Sequence, residues 1–251
     1  MDLGLDGRRA LVTGASRGIG KAIAVALARE GARVALVARG EAELRSAARE
    51  TGGVAIAGDL TVAADRARAA DRAEQELGGV DILVNNLGGR AGTTWDDTGV
   101  EEVEAAMRIN LLPAVAMSKL ALPGMRDRRW GRVVVIGSVY GREAGGAPAY
   151  NSAKAAEISF VKSLATAVAR DGVTVNCVAP GSILFEGGSW HRRREQDPDG
   201  IAEFVRREMP LGRFGDPEEV ASVVAFLCST KASLVTGACW VVDGAQGRSN
   251  L

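Results

Sequence analysis

The chain has 251 residues, with 31 basic and 31 acidic side chains and a formal net charge of zero. Apolar residues make up 47% of it, enough for one large buried core and too many for a disordered chain. The charge balance gives nothing to attract nucleic acid or an anionic membrane surface, so neither is expected as a partner. No uninterrupted apolar run reaches the roughly 18 residues of a membrane span. The opening residues, MDLGLDGRRALVTG, lack the basic start and long apolar stretch of a signal peptide. Cys177, Cys228 and Cys239 form no CxxC pair and read as small buried hydrophobes, so no metal site is expected and a reducing cytoplasm is the expected location.

In chain order, the first predicted strand, RALVT (9–13), runs into a turn with Gly14, Gly18 and Gly20 and then a helix over 18–30. Glycines there give the backbone freedom to turn tightly, and the helix N-terminus presents free N–H groups to a pyrophosphate. Strand, glycine turn and helix together point to dinucleotide binding. The second strand, RVALVA (33–38), ends at Arg39, and Arg17 lies in the glycine turn. Two guanidiniums suit a 2′-phosphate, which favours NADP(H), with NAD(H) as the alternative.

Strands GVAIAG (53–58) and DILVN (81–85) flank a helix over 61–77. An irregular segment, 87–99, precedes a long helical pattern over 100–127, where Pro113 should kink or divide the helix. Strand RVVVIGS (132–138) leads to a helix over 150–170 that places Tyr150 one turn before Lys154. Residues four apart share a helix face, and a nearby cation makes a phenol a better proton-transfer group. On its own the pair reads more readily as a packed tyrosine beside a solvated lysine. Strand VTVNCVA (173–179) is followed by a second irregular segment, 182–209, then a helix over 216–228 and a last strand, CWVVDG (239–244).

The strands are nearly continuous apolar runs, which implies burial on both faces. Strand–helix alternation predicts a single α/β domain over 1–251. It is a Rossmann-type doubly wound sheet of about seven parallel strands with helices on both faces. Both irregular segments follow the carboxyl ends of strands, where such sheets bind ligands. The polar stretch SWHRRREQD, holding the lone His191, reads as a loop or lid; hydrolysis built on a positioned imidazole is therefore not expected.

Taken together, TGASRGIG (13–20), GDL (58–60), VDILVNNLG (80–88), MRIN (107–110), GRVVVIGS (131–138), YNSAK (150–154), VNCVAPG (175–181) and VVDGA (241–245) resemble a short-chain dehydrogenase/reductase over essentially the whole chain. The resemblance implies a catalytic set of Asn110, Ser138, Tyr150 and Lys154. Tyr150 would be the general acid in reduction, Ser138 would bond the substrate oxygen, Lys154 would hold the nicotinamide ribose, and Asn110 a relay water. It also implies cofactor contacts at Gly14, Ser16, Arg17, Gly18, Ile19, Gly20, Arg39, Asp59, Leu60, Asn86, Gly88, Pro180, Gly181 and Ile183, together with Tyr150 and Lys154. Tyr140 would be a wall residue. The chain departs from the pattern at Leu87, where alanine is usual, and at Phe185, where threonine is common.

Within the family the nearest resemblance is to 3-oxoacyl-[acyl-carrier-protein] reductases, also carried by PLGRFGDPEEVASVVAFL. This implies an NADPH-dependent reductase of a small-molecule or acyl-thioester carbonyl, with an acyl carrier protein as a partner in fatty acid or polyketide metabolism. Assembly would be a homotetramer. The alternatives are a dehydrogenase of a small alcohol, sugar or cyclic alcohol, and a noncatalytic dinucleotide-binding member, against which the intact catalytic set argues. In the lid, 182–209, Trp190 with Arg192, Arg193 and Arg194 is expected to meet an anionic substrate, although a solvated surface run is the plainer reading.

Overall fold

In the computed structural model, which describes residues 2–250, seven parallel strands form one sheet in the order β3-β2-β1-β4-β5-β6-β7. The strands are β1 (Arg9–Thr13), β2 (Arg33–Ala38), β3 (Val54–Ala57), β4 (Ile82–Asn85), β5 (Gly131–Ile136), β6 (Val173–Pro180) and β7 (Cys239–Val242). The order reverses between β1 and β4, which leaves a crevice beyond their carboxyl ends.

Helices cover both faces. On one, α1 (Gly18–Arg29), α2 (Glu41–Thr51) and α9 (Pro217–Cys228) pack Ile23, Leu27, Leu44 and Val224 against Val12, Leu36 and Val84. On the other, α3 (Ala63–Leu77), α5 (Leu111–Asp127) and α6 (Pro148–Val168) pack Leu77, Met117, Met125 and Val161 against Leu11, Val37 and Val133. Strand side chains alternate between the two sets, so central strands are apolar throughout. The edge strand β7 departs from that expectation: Trp240 and Val241 are exposed.

Three local features differ from the sequence reading. The helix α2 was not foreseen. It is largely polar and buries only Leu44, Ala47 and Ala48, too short an apolar stripe to stand out. The stretch read as a loop, SWHRRREQ, is the helix α7 (Ser189–Gln196), followed by α8 (Pro198–Glu208). The 100–127 pattern divides at Asn110 into α4 (Val100–Ile109) and α5. Pro113 has no N–H for the Ile109 carbonyl and its ring crowds that oxygen, so the division follows from the proline. An 18-residue window in Val100–Asp127 reaches a mean hydropathy of 1.2, enough by length and composition to cross a membrane. Here that apolarity serves the core, where Ala114, Met117, Leu122 and Met125 are buried.

Candidate active site

A cavity of about 1000 Å³ runs along the carboxyl edge of the sheet, from Arg39, Glu43 and Asp59 at one end to Ser138, Tyr140, Tyr150 and Lys154 at the other. Its floor is the switch point between β1 and β4.

The turn after β1 is shaped for close approach of a ligand. Gly14 has φ +62° and Gly18 φ +55°, which side chains rarely tolerate. A Cβ on Gly20 would fall 2.4 Å from both Asn86 Nδ2 and the Gly14 carbonyl, so α1 can lie this close to the sheet only with glycine there. Asn86 Nδ2 donates to the Thr13 and Gly14 carbonyls, each at 3.1 Å, and stiffens the turn. No side chain caps α1, whose first N–H groups adjoin the cavity beside Gly14, Ser16, Arg17 and Ile19. The cradle therefore fits a dinucleotide pyrophosphate.

At the far end Arg39, 74% exposed on its side chain, stands 3.9 Å from Asp59. Asp59 Oδ1 accepts from the Thr61 N–H at 2.9 Å and the Thr61 hydroxyl at 2.8 Å; these bonds, with Arg39 adding to them, hold its carboxyl below the usual range. Leu60 is buried beside it on the cavity wall. Glu43, from α2, also lines this end and was not foreseen, because the helix that carries it was not.

At the chemical end, Pro148 at the first turn of α6 sets Tyr150 facing the cavity. Lys154 lies one turn on, its Nζ 5.7 Å from the centre of the Tyr150 ring. Burial alone would lower the Lys154 pKa, but the carboxylate of Glu157, with smaller contributions from Tyr150 and Cys177, holds the pKa above the ordinary lysine value. Lys154 Nζ donates to Glu157 Oε2 and to the Ile136 carbonyl, both at 2.9 Å. Ser138, buried at the end of β5, accepts from the Tyr140 N–H at 3.2 Å. Asn110, at the break between α4 and α5, donates to the Gly89 carbonyl at 2.9 Å and accepts from the Gly89 N–H at 3.2 Å. A Cβ on Gly88 would sit 3.0 Å from Asn110 Oδ1 and 3.3 Å from Lys154 Nζ, which ties that glycine to the same corner.

The segment after β6 closes the cavity from above. Pro180, Gly181 and Ile183 line it, and Ile183 pairs with Gly215, which brings the two ends of the 184–214 excursion together. Ser182 N–H donates to Gln246 Oε1 at 2.8 Å, which ties the start of this segment to the residues that follow β7. Leu87 and Phe185, the two departures, both face the cavity; the Phe185 ring lies so near Gly18 that a Cβ there would be 2.6 Å from it.

The structure separates the lid residues. Trp190 lines the cavity while stacked on Phe204 at 4.6 Å. Arg192 also lines it, bonded to the Gly187 carbonyl at 2.5 Å. Arg193 instead lies over the Trp190 ring at 5.1 Å, and Arg194 is exposed away from the cavity wall. Arg90 was missed: it lines the cavity with its guanidinium 5.7 Å from the centre of the Tyr150 ring. Its only sequence signal is its place in the irregular 87–99 segment. Among the described residues no cluster suits a metal ion.

The family profile described as enoyl-(acyl carrier protein) reductase matches residues 14–245. A 3-oxoacyl-[acyl-carrier-protein] reductase from Vibrio cholerae is 41% identical, covering 96% of this chain and 98% of the relative. A D-beta-hydroxybutyrate dehydrogenase from Cupriavidus necator is 35% identical over the same shares. The solved structure of L-sorbose reductase from Gluconobacter frateurii, complexed with NADPH and L-sorbose, superposes with a TM-score of 0.91 at 34% identity, covering 98% of both chains.

Proposed function

The chain belongs to the short-chain dehydrogenase/reductase family, and from that premise we propose that it is an NADPH-dependent carbonyl reductase acting on 3-oxoacyl thioesters. The observation that carries this reading is the convergence of Ser138, Tyr150 and Lys154 at one end of a cavity whose other end holds Arg39. The first-named relative's activity favours the thioester.

A bound nicotinamide dinucleotide supplies the hydride. Gly14, Ser16, Arg17, Gly18 and Ile19 would cradle its pyrophosphate, with Gly20 letting α1 lie close enough to do so, and Arg17 and Arg39 would meet the 2′-phosphate. Asp59, Leu60 and Asn86 would line the adenosine side, and Gly88, beside Lys154, with Pro180, Gly181 and Ile183 the nicotinamide side. Ser138 donates its hydroxyl hydrogen to the substrate carbonyl oxygen and orients it. Tyr150 Oη gives its proton to that oxygen. Lys154 binds the ribose hydroxyls and favours the phenolate left behind. Asn110 fixes the Gly88–Gly89 turn beside Lys154 and holds the water that returns a proton to the pair. Tyr140 and Trp190 wall the substrate, and Arg192 meets an anionic group on it, such as a phosphopantetheine phosphate or an acidic carrier-protein face. The working form is a cytoplasmic homotetramer.

A second reading, a dehydrogenase or reductase of a small hydroxy acid or sugar, has its own support in the hydroxybutyrate dehydrogenase and sorbose reductase similarities. NADPH oxidation measured over acyl thioesters, diketones, quinones and sugars separates the two. Thioesters should give the highest kcat/KM; a keto sugar, or a free 3-oxo acid added to the series, exceeding them by tenfold would replace the first reading with the second.

A further inference from the structure

Beneath the catalytic pair lies a charge that the reaction as described does not use. Glu157 is 1% exposed and Lys154 3% exposed, and their ion pair lies between α6 and the sheet. Desolvating two charges is costly, and a hydrophobic side chain of similar volume would fill the same space without that cost. The helix α6 needs no acid there to fold, since Ala153, Val161 and Ala165 already supply its buried stripe.

The geometry of the ammonium shows what the acid does. Lys154 has three N–H donors. One goes to the Ile136 carbonyl and one to Glu157 Oε2. These two acceptors fix the head from the protein side, and the third donor remains for the cavity that Lys154 lines. We propose that Glu157 is a positioning residue for the reaction: its carboxylate keeps Lys154 an ammonium and, with the Ile136 carbonyl, turns the remaining N–H toward the cavity. The proposal rests on the reductase reading for the roles of Lys154 and Tyr150.

Electrostatics agree with the geometry. Burial pushes Lys154 toward the neutral amine, and Glu157, the largest of the opposing influences, reverses that together with Tyr150 and Cys177. Burial also raises Glu157, against the pull of Lys154. Protonating the acid alone would strand a buried ammonium, so each charge favours the other. The other groups facing the pair are few. Tyr150 is on α6 itself, and β5 offers the Ile136 carbonyl. From β6 comes Cys177, whose thiol is raised well above its ordinary value, first by a hydrogen bond with Cys239 and then by burial. Beyond it on β7, Cys239 is drawn down to about 7 by that same bond, with Arg142 assisting. The α4–α5 junction contributes the neutral Asn110.

The test is Glu157→Gln, which keeps the shape and an acceptor oxygen but removes the charge, made in a Cys239→Ser background to remove the thiol that titrates near neutrality. NMR of lysine-labelled enzyme without cofactor follows the Lys154 side chain, identified by the signal lost in Lys154→Met. In the parent it should stay charged past the ordinary lysine range. In Glu157→Gln it should lose its proton at least about one pH unit lower. The alkaline limb of reductive kcat/KM should move the same way, since less ammonium survives at high pH, and NADPH affinity should weaken above the new midpoint only. Identical Lys154 titration in both proteins overturns the proposal. If Glu157→Gln does not fold, the parent alone decides: a Lys154 midpoint below about 10.4, the unperturbed lysine value, overturns it. Full activity in Tyr150→Phe and Lys154→Met would instead defeat the catalytic reading, while the NMR titration would still report on the ion pair.

Discussion

Arg39 Nη1 lies 3.9 Å from Asp59 Oδ2, at the opposite end of the cavity from Tyr150. The guanidinium is exposed and only loosely held by that carboxylate, so it is free to turn to a phosphate. Arg39→Asp should lower kcat/KM for NADPH and leave NADH little changed. The loss should be about 1.5–3 kcal/mol of 2′-phosphate interaction, as for one charge-assisted contact. Initial rates with both cofactors give the answer; equal use of both by the native enzyme would remove the basis for assigning Arg39 this role.

Tyr150 and Tyr140 both line the cavity, but only Tyr150 has Lys154 within a helical turn. Tyr150→Phe should cost about 10²–10⁴-fold in kcat while NADPH still binds. Tyr140, packed over Gly145 and Gly146, should cost far less when replaced by phenylalanine. The reverse ranking, measured by turnover and by fluorescence titration of NADPH, would exchange their roles.

Of the three lid arginines only Arg192 lines the cavity. Arg192→Ala should raise KM for a charged acyl thioester several-fold and barely move it for a neutral diketone, with the difference shrinking at high salt. Arg193→Ala and Arg194→Ala should leave that ratio intact. If all three behave alike, the cluster acts as a solvated surface run.

The proposed tetramer needs an apolar face left free by the fold. Ala114 and Val168, two of the small and apolar positions on α5 and α6, are spent inside the subunit. Leu112 and Leu120 remain 50% and 45% exposed along α5. Sedimentation should show a tetramer at micromolar concentration, and Leu112→Glu with Leu120→Glu should dissociate it. A native monomer would refute the assembly.

At the opposite edge of the sheet Asp81 is buried between Arg9 and Arg128, at 2.5 and 3.0 Å. Burial pushes its pKa up, but the Arg9 hydrogen bond and the two cations prevail and lower it. A depressed carboxyl stabilises the fold above its unfolded value near pH 4 and loses that effect as pH falls through its folded value. Asp81→Asn should therefore cost about 2–4 kcal/mol at pH 7 and much less at pH 2, read by denaturant unfolding at both. A penalty independent of pH would mean that packing, not charge, is at stake.

How much of this was legible follows from burial. The strands β1 and β2 stand where their apolar runs placed them, because both faces of a central strand report on the core. The tyrosine–lysine spacing was legible because one helical turn is a local rule. By contrast α2 and α7 bury few or no side chains, so their sequences carry almost no periodic signal. The position of Arg90 on the cavity wall depends on how a loop without regular structure folds back toward Tyr150 on α6. Glu157 reads in sequence as one more polar helix residue, since only the packing of α6 on the sheet reveals that it faces inward. The three-residue spacing from Lys154 was the one available hint.

The aromatic cluster in the lid has a mechanical consequence. Trp190, Phe204 and Phe214 pack with Ile201 and Met209 as an apolar group separate from the two large clusters on the sheet. A segment that satisfies its own apolar side chains can shift as a small rigid body without exposing the main core, hinged where Ile183 and Gly215 hold its two ends together. Amide protons of α7 and α8 should then exchange together, at one opening free energy well below that of β1 or β5. Access to the reacting end of the cavity would cost the protein the displacement of a lid and not the loosening of its sheet.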